Sequence, residues 1–577
     1  MAIEPRRTPW AAVVEALAAE GVDLAFGLPG NPLHFVGDLA HAPEVRPILV
    51  RHEASGAFMA YAYARVTGKA GVCFASPGPG SANLASGLLE AFSGCQPVIA
   101  LANGTPTRTE GMGAFQELDS VAFFRPITKW AVRPTDPEKV PWVMQRAFSL
   151  ARGGRPGPVF IDLPGDMALR EASIEPYRSP GPPVRVRPDA GAVSAAAREL
   201  ARAERPVLVA GNGCMLAGAG PALRRLAELV GAPVLTTPGG RGSIPEDHPL
   251  ALGQVGLYLT RPGKAYYDSA DLLVTVGSRM EEFQSGDWQL FPAGARFVQV
   301  DLDPRSIGQN WRPDVAVVGD ARLALEDLCA AVAEEGIDEA AREARLAGVA
   351  EAKARFVHEV ERECAEERRP IRTRQAVHAI ERVFGPETIL CHENGGQDLW
   401  SYYWPYHRVL EGGASVAPGE QTVMGLGCVG AIGAKLARPD KPVVCTSGDG
   451  AFQMYLGEVA TAVQYRAGVT WLVLDNASLG WPQYLQVLEG QPTVATEFTH
   501  QSDLAGVVRA QGAHGERVED PAEVVPALGR ARRANEDGLP AAVVVAVERH
   551  DYPEWFVTWH REIWGLGAGG AASGAGG

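Results

Sequence analysis

The stretch SGDGAFQMYLGEVATAVQYRAGVTWLVLDNASLGW, Ser447 to Trp481, fixes the reading of everything around it. It continues the apolar run PVVCTS (442–447) and turns at Gly448-Asp449-Gly450. Phe452, Leu456, Val459 and Val463 then recur at helical spacing. TWLVLDN (470–476) is again an almost unbroken apolar run, as a strand buried on both faces requires. Strand, helix and strand in that order make a right-handed βαβ unit, which sets the carboxyl ends of both strands side by side. Asp449 and Asn476, 27 residues apart, therefore meet at the edge where open α/β sheets bind ligands. A carboxylate, an amide oxygen and a nearby carbonyl suit a hard cation such as Mg²⁺ or Ca²⁺. Glycines beside the Asp let backbone N–H groups approach a phosphate, with the positive end of the helix behind them. The local expectation is a Mg²⁺–diphosphate anchor. Taken alone, the same residues also fit a βα turn with a helix-capping Asp.

The pattern repeats along all 577 residues, a length that calls for about three domains. Strand-like runs include GVCFAS (71–76), PVIALA (97–102), PVFIDL (158–163), PVLVAG (206–211), LLVTVG (272–277), RFVQVDLD (296–303) and AAVVVAV (541–547). Helical segments between them predict an α/β fold: three Rossmann-like, doubly wound parallel-sheet domains. The Pro-rich segment 175–189 reads as a linker and the charged stretch 334–371 as a solvated helix, which sets domains of about 1–180, 190–345 and 365–560. The first and third share a glycine-rich turn after a strand, a hint of duplication. Residues 565–577, rich in Gly and Ala, read as a disordered tail.

Net charge is −15 and no Lys/Arg-rich run appears, so no nucleic-acid partner is expected. No stretch reaches ~18 uncharged apolar residues, so no membrane span is expected. The eight scattered cysteines form no C-x-x-C pair, and the opening residues lack an apolar signal core. A reduced, cytoplasmic protein is the expectation.

Gly-Asp-Gly followed at this distance by Asn resembles the thiamine-diphosphate signature of the acetolactate synthase and pyruvate decarboxylase superfamily. That family usually ends the motif in Asn-Asn; here Asp475 stands at the first position and Asn476 at the second. The resemblance implies that Asp449, Asn476 and the Ser478 carbonyl hold Mg²⁺, and that Gly448, Asp449, Gly450 and Ala451 cradle the diphosphate. It extends to RHEASGAF (51–58), where Glu53 matches the glutamate that bonds the pyrimidine ring and promotes ylide formation. Burial in apolar surroundings favours the protonated form of such a carboxyl group. FGLPGN (26–31) brings Pro29 and Gly30 to the pyrimidine, SPGPGSAN (76–83) brings Pro79 and Asn83, and AFQELD (114–119) sets Gln116 near the reaction centre. ENGGQDLW (393–400) puts Gly396 and Gln397 where the synthases carry Gln and His against the diphosphate. Met424 matches the apolar wedge that bends the cofactor and brings its two reacting groups together.

The middle segment resembles the synthases' FAD-binding domain, with Gly211, Gly213, Thr236, Thr237, Gly256, Arg279 and Asp301 at matching positions. Elsewhere in the superfamily this domain is empty or holds ADP or a CoA group, and here Phe283 replaces an arginine of the flavin pattern. FAD or another nucleotide is therefore an open expectation.

The resemblance implies decarboxylation of a 2-oxo acid, pyruvate first, with transfer of the acyl-anion equivalent to a second carbonyl compound. A non-ligating decarboxylase of an aromatic or bulky substrate is the alternative, and a catalytically silent nucleotide-binding homologue a third. Trp481, Gln483, Tyr484 and Leu485 are expected along the substrate approach. The aromatic run LWSYYWPYHR (399–408) reads either as dimer core or as a pocket for a bulky acceptor. In this family the cofactor lies between the first domain of one subunit and the third of another, which implies a homodimer or homotetramer.

Overall fold

The computed structural model describes residues 6–30 and 33–566. Asn31, the last residue of the 26–31 turn, and residues 567–577 of the Gly/Ala tail lie outside them. Among the described residues eighteen strands form three six-stranded sheets, and every pairing within them is parallel.

The first sheet contains β1 (Leu24–Gly27), β2 (Arg46–Leu49), β3 (Gly71–Ala75), β4 (Val98–Gly104), β5 (Trp130–Val132) and β6 (Val159–Pro164), in the order β2-β1-β3-β4-β6-β5. The second contains β7 (Pro206–Ala210), β8 (Val234–Thr236), β9 (Ala251–Gln254), β10 (Leu272–Val276), β11 (Arg296–Asp301) and β12 (Val315–Val318). Its order, β9-β8-β7-β10-β11-β12, is the doubly wound dinucleotide-binding arrangement, which reverses between β7 and β10. The third contains β13 (Ile389–His392), β14 (Ala414–Val416), β15 (Val443–Gly448), β16 (Val469–Asp475), β17 (His514–Val518) and β18 (Ala541–Ala546). Its order, β14-β13-β15-β16-β18-β17, repeats that of the first sheet strand for strand. The hint of duplication is thus a property of the fold. All seven residues of β16 are buried, because helices cover both faces of the sheet.

The first and third units meet through equivalent helices, each following its sheet's second strand: Glu53–Thr67 and Leu426–Ala437. Both carry small residues along the shared face. A Cβ on Gly433 would lie 2.6 Å from the Met59 carbonyl oxygen, and one on Gly430 would lie 3.2 Å from the Ala62 Cβ. Met59 thus sits level with Gly433 and Ala62 with Gly430, so the helices run antiparallel. Phe58, Met59, Val429 and Ile432 extend one apolar core through this contact into both sheets.

The middle unit is fastened to the third by buried polar bonds. Arg241, wholly buried, pairs with Glu246 at 2.9 Å and donates to the carbonyls of Ser401 and His407. The charged stretch after it is the helix Glu339–Ala365, whose Lys353 turns inward onto the carbonyls of Glu246, His248 and Ala251. Among the described residues no helix is long and apolar enough to cross a membrane.

The two glycine contacts differ enough to test. Gly433→Ala drives a methyl group into backbone and should cost about 1–3 kcal/mol, the range for overpacking. Gly430→Ala meets only a side-chain methyl and should cost less. Thermal unfolding of both variants reads this; a larger loss at Gly430 would contradict the packing described.

Candidate active site

The expected site residues gather in two clusters, one at the carboxyl edge of each duplicated sheet. In the first unit, the segment leaving β2 ends at His52, whose ring nitrogen Nδ1 accepts from the Ala54 N–H and caps the helix Glu53–Thr67. Glu53 opens that helix and is buried. Its Oε2 accepts from Asn83 Nδ2 at 2.9 Å. Asn83 closes the short helix Pro79–Asn83, and a Cβ on Gly80 would sit 3.2 Å from Glu53 Oε1. Gly30 abuts Ser76 on the same turn, next to Pro29. Gln116 packs its backbone against Gly78 with φ of 57°, a left-handed conformation seldom taken by a residue with a side chain. Residues from three other segments therefore gather beside Glu53. Pro29, Gly30, Pro79 and Asn83 stay exposed, as does Phe115 beside Gln116. This cluster opens outward from the chain.

In the third unit, β15 and β16 pair with Gly448 opposite Leu474. Asp449 is therefore level with Asp475, and both are buried. Asp449, Gly450 and Ala451 begin the helix Asp449–Met454. Burial, and then the facing Asp475 carboxyl, push the Asp449 carboxyl up to about 8. Asp449 Oδ1 and the Ser478 hydroxyl are buried without any hydrogen-bond partner. Asn476 Oδ1 accepts from the Ser478 N–H at 3.2 Å, so Asn476 and Ser478 form one tight turn beside that carboxyl. A buried carboxyl oxygen lacking a donor, next to amide and hydroxyl oxygens, has the donor chemistry that fits a hard cation.

Asp475 does not compete for that role. Arg517 Nη1 reaches its Oδ2 at 2.6 Å and Gln501 Nε2 its Oδ1 at 2.6 Å, so both its oxygens already have donors. Neither partner was foreseen. Arg517 lies on β17, two strands from β16, and no local spacing ties the two positions.

The remaining expected positions divide. Gly396 lies against Tyr552 and the Trp481 N–H, where a Cβ would come within 2.8 Å of the Tyr552 ring. Gln397 is buried, accepting from Thr373 Oγ1 at 2.6 Å and donating to the Arg549 carbonyl at 2.8 Å, so its amide holds the turn together. Met424 is half-buried on the segment between β14 and the helix Leu426–Ala437. Gly425 after it has φ of 103° against the Tyr455 ring, a position only glycine fills.

The aromatic residues correct the expectation placed on them. Trp400, Tyr402, Tyr403, Trp404 and Tyr406 are buried within the chain, where Tyr402 stacks on Tyr258 of the middle unit at 4.8 Å and Tyr403 donates to the Leu257 carbonyl. Tyr402, Tyr403 and Trp404 join the third unit to the middle one, while Trp400 bonds the Asp551 carbonyl and Tyr406 bonds Glu363, so the run is buried inside one chain rather than forming dimer core. Tyr484 is buried against Tyr552 and Phe556, and Gln483 is bonded to Glu497, so neither lines an approach. Trp481 and Leu485 remain half-buried, with Trp481 stacked on Phe283 at 6.0 Å.

A cavity opens where the middle sheet reverses and reaches all three units. Gly213, Thr237, Arg279 and Asp301 line it, with Phe283 in place of the expected arginine. Gly211, Thr236 and Gly256 lie outside its lining.

The two clusters are far apart within one chain. Glu53 starts its helix six residues before Met59, whereas Met424 precedes Gly430 and Gly433 on a helix running the opposite way. At 1.5 Å per residue the two lie about 20 Å apart, at opposite ends of the helix pair.

The chain matches three family models. They are described as the thiamine pyrophosphate enzyme N-terminal TPP binding domain over residues 8–123, the central domain over 193–328, and the C-terminal TPP binding domain over 399–545. It is 34% identical to a probable acetolactate synthase large subunit of Methanocaldococcus jannaschii over 557 residues, 93% of this chain and 92% of that protein. It is 32% identical to the acetolactate synthase large subunit of Corynebacterium glutamicum over 567 residues, 95% of this chain and 88% of that protein. With its three units each matched by a family model and kinship over nearly its whole length, the chain belongs to the thiamine pyrophosphate enzymes and is an acetolactate synthase-like member dependent on thiamine diphosphate.

Proposed function

We propose that this enzyme decarboxylates pyruvate and joins the resulting two-carbon unit to a second 2-oxo acid. The observation that carries the cofactor half of the reading is the buried, unpartnered Asp449 oxygen beside Asn476 and Ser478. Asp449, Asn476 Oδ1 and the Ser478 carbonyl would hold Mg²⁺, and the turn Gly448–Ala451 would face the diphosphate. Thiamine diphosphate, when bound, supplies a carbon nucleophile that adds to the 2-oxo acid and accepts the electron pair released with CO₂. Glu53, its Oε2 fixed by Asn83, would hold a proton at the pyrimidine ring nitrogen. Met424 would be the apolar side chain that packs against the cofactor. Gln116, fixed in a left-handed conformation, would reach the reacting carbonyl. The middle cavity, with Gly213, Thr237, Arg279 and Asp301 in its lining, would be the place for a nucleotide, FAD or another. Because Glu53 and Met424 of one chain sit at opposite ends of the helix pair, each complete site would join the first unit of one chain to the third unit of another, in a homodimer at least.

Incubating the purified protein with thiamine diphosphate, Mg²⁺ and pyruvate tests the reading. Acetolactate is expected, and flavin absorbance in the same preparation would mark an occupied middle cavity. Acetaldehyde alone would indicate a decarboxylase, and no CO₂ from any 2-oxo acid would overturn the proposal. Glu53→Gln should lower kcat on the order of 100- to 10,000-fold while leaving cofactor affinity nearly unchanged.

The charge arrangement at Asp475 gives a separate check. Arg517→Met leaves a buried carboxylate without its partner, which is costly, and should lower the unfolding midpoint of the metal-free protein by several degrees. Adding Asp475→Asn in the same chain removes the stranded charge and should restore most of the loss. Equal midpoints for the single and double variants would contradict the pairing.

A further inference from the structure

Two buried glutamates lie in equivalent connections of the duplicated fold. Glu90 lies in the helix Ala85–Ser93, between β3 and β4. Glu458 opens the helix Glu458–Gln464, between β15 and β16. Since the two sheets share a strand order, both positions are the connection from third strand to fourth. Glu90 is 0% exposed and Glu458 3%. Each gives its carboxylate to backbone N–H groups of the other unit.

Glu458 Oε1 accepts from the Arg51 N–H at 2.9 Å and the His52 N–H at 3.1 Å, the two residues before Glu53. Its Oε2 takes the Thr461 hydroxyl at 2.7 Å. Glu90 Oε1 accepts from the Gly419 N–H at 2.5 Å, and its Oε2 from the Val423 N–H at 2.9 Å. Val423 directly precedes Met424, and Ser93 Oγ takes the intervening Glu420 N–H at 3.1 Å. These amides lie in segments between a strand and a helix, where no ladder or helical turn supplies acceptors. A carboxylate acceptor makes such bonds short and strong, and a buried amide that loses one is left unsatisfied.

We propose that Glu90 and Glu458 are reciprocal positioning residues, each fixing across the unit boundary the backbone that presents the other unit's half-site residue: Met424 for Glu90 and Glu53 for Glu458. The clamp follows from the hydrogen bonds; its bearing on the cofactor rests on reading Glu53 and Met424 as the half-sites. The two glutamates differ in how they use their oxygens. Glu458 serves both amides with one oxygen, so a glutamine there keeps that oxygen and can offer its NH₂ to Thr461. Glu90 needs both oxygens, so a glutamine there points an NH₂ at a backbone N–H.

Hydrogen–deuterium exchange read by mass spectrometry on the cofactor-free full chain separates the cases. Glu90→Gln should speed exchange in a peptide covering 416–427 at least tenfold and leave one covering 47–56 unchanged. Glu458→Ala should do the reverse, and Glu458→Gln should leave both near wild type. If Glu458→Ala does not fold, the contrast between the two glutamine variants still decides. Wild-type protection in Glu90→Gln, equal behaviour of the two glutamine variants, or simultaneous loosening of both peptides by either one would overturn the proposal. Thiamine diphosphate affinity, read by tryptophan fluorescence, should fall at least fivefold in Glu90→Gln. Selective loosening of 416–427 with unchanged affinity would support the clamp and overturn the half-site reading of Met424.

Discussion

The contact between the helices Glu53–Thr67 and Leu426–Ala437 is the constraint on which the rest of the molecule depends. Gly430 and Gly433 let the two backbones come close enough to make one core out of two sheets. Each helix starts at the carboxyl edge of its own sheet, where a parallel α/β unit presents its ligand-binding turns. An antiparallel pair therefore turns the two edges to opposite ends of the molecule. That single geometric fact separates Glu53 from Met424, and the proposal that each chain carries two complementary halves rests on it.

The duplicated order gives the arrangement its reciprocity. Equivalent connections each supply a glutamate, and each reaches into the segment that follows the other sheet's second strand. The middle unit joins through a different device, the aromatic residues 402–404 and the buried Arg241–Glu246 pair. The segment Ala417–Gly425 touches all three units: Glu90 holds its amides, Glu420 accepts from the Phe283 N–H of the middle unit, and Met424 lies near its end. Burial holds the Glu420 carboxyl up at about 7, as it does that of Glu90.

Much of this was legible in the sequence, and what was not has a common cause. Gly448-Asp449-Gly450 and Asn476 could be placed together because a βαβ unit converts a spacing along the chain into a meeting in space. The α/β class followed from unbroken apolar runs alternating with helical ones. Arg517, Glu90 and Glu458 escaped notice because each acts through a partner set by sheet order or by packing between units, and no periodicity records that. Asp475 looked like a plain departure from a motif until its two partners were in view. The aromatic run 399–408 misled for the opposite reason: bulky rings signal a large buried surface, and their composition does not say which surface.

The central claim is that a complete site requires two chains. Glu53→Gln removes the first-unit half and Asp449→Ala the third-unit half, so each variant alone should be inactive. A mixed dimer carries one site with both halves intact and one with both lost. Random pairing of equal amounts should then restore about a quarter of wild-type acetolactate formation, since half the dimers are mixed and half their sites work. Failure of the mixture to rise above the separate variants, once mixed dimers are verified by mass spectrometry, would contradict the account.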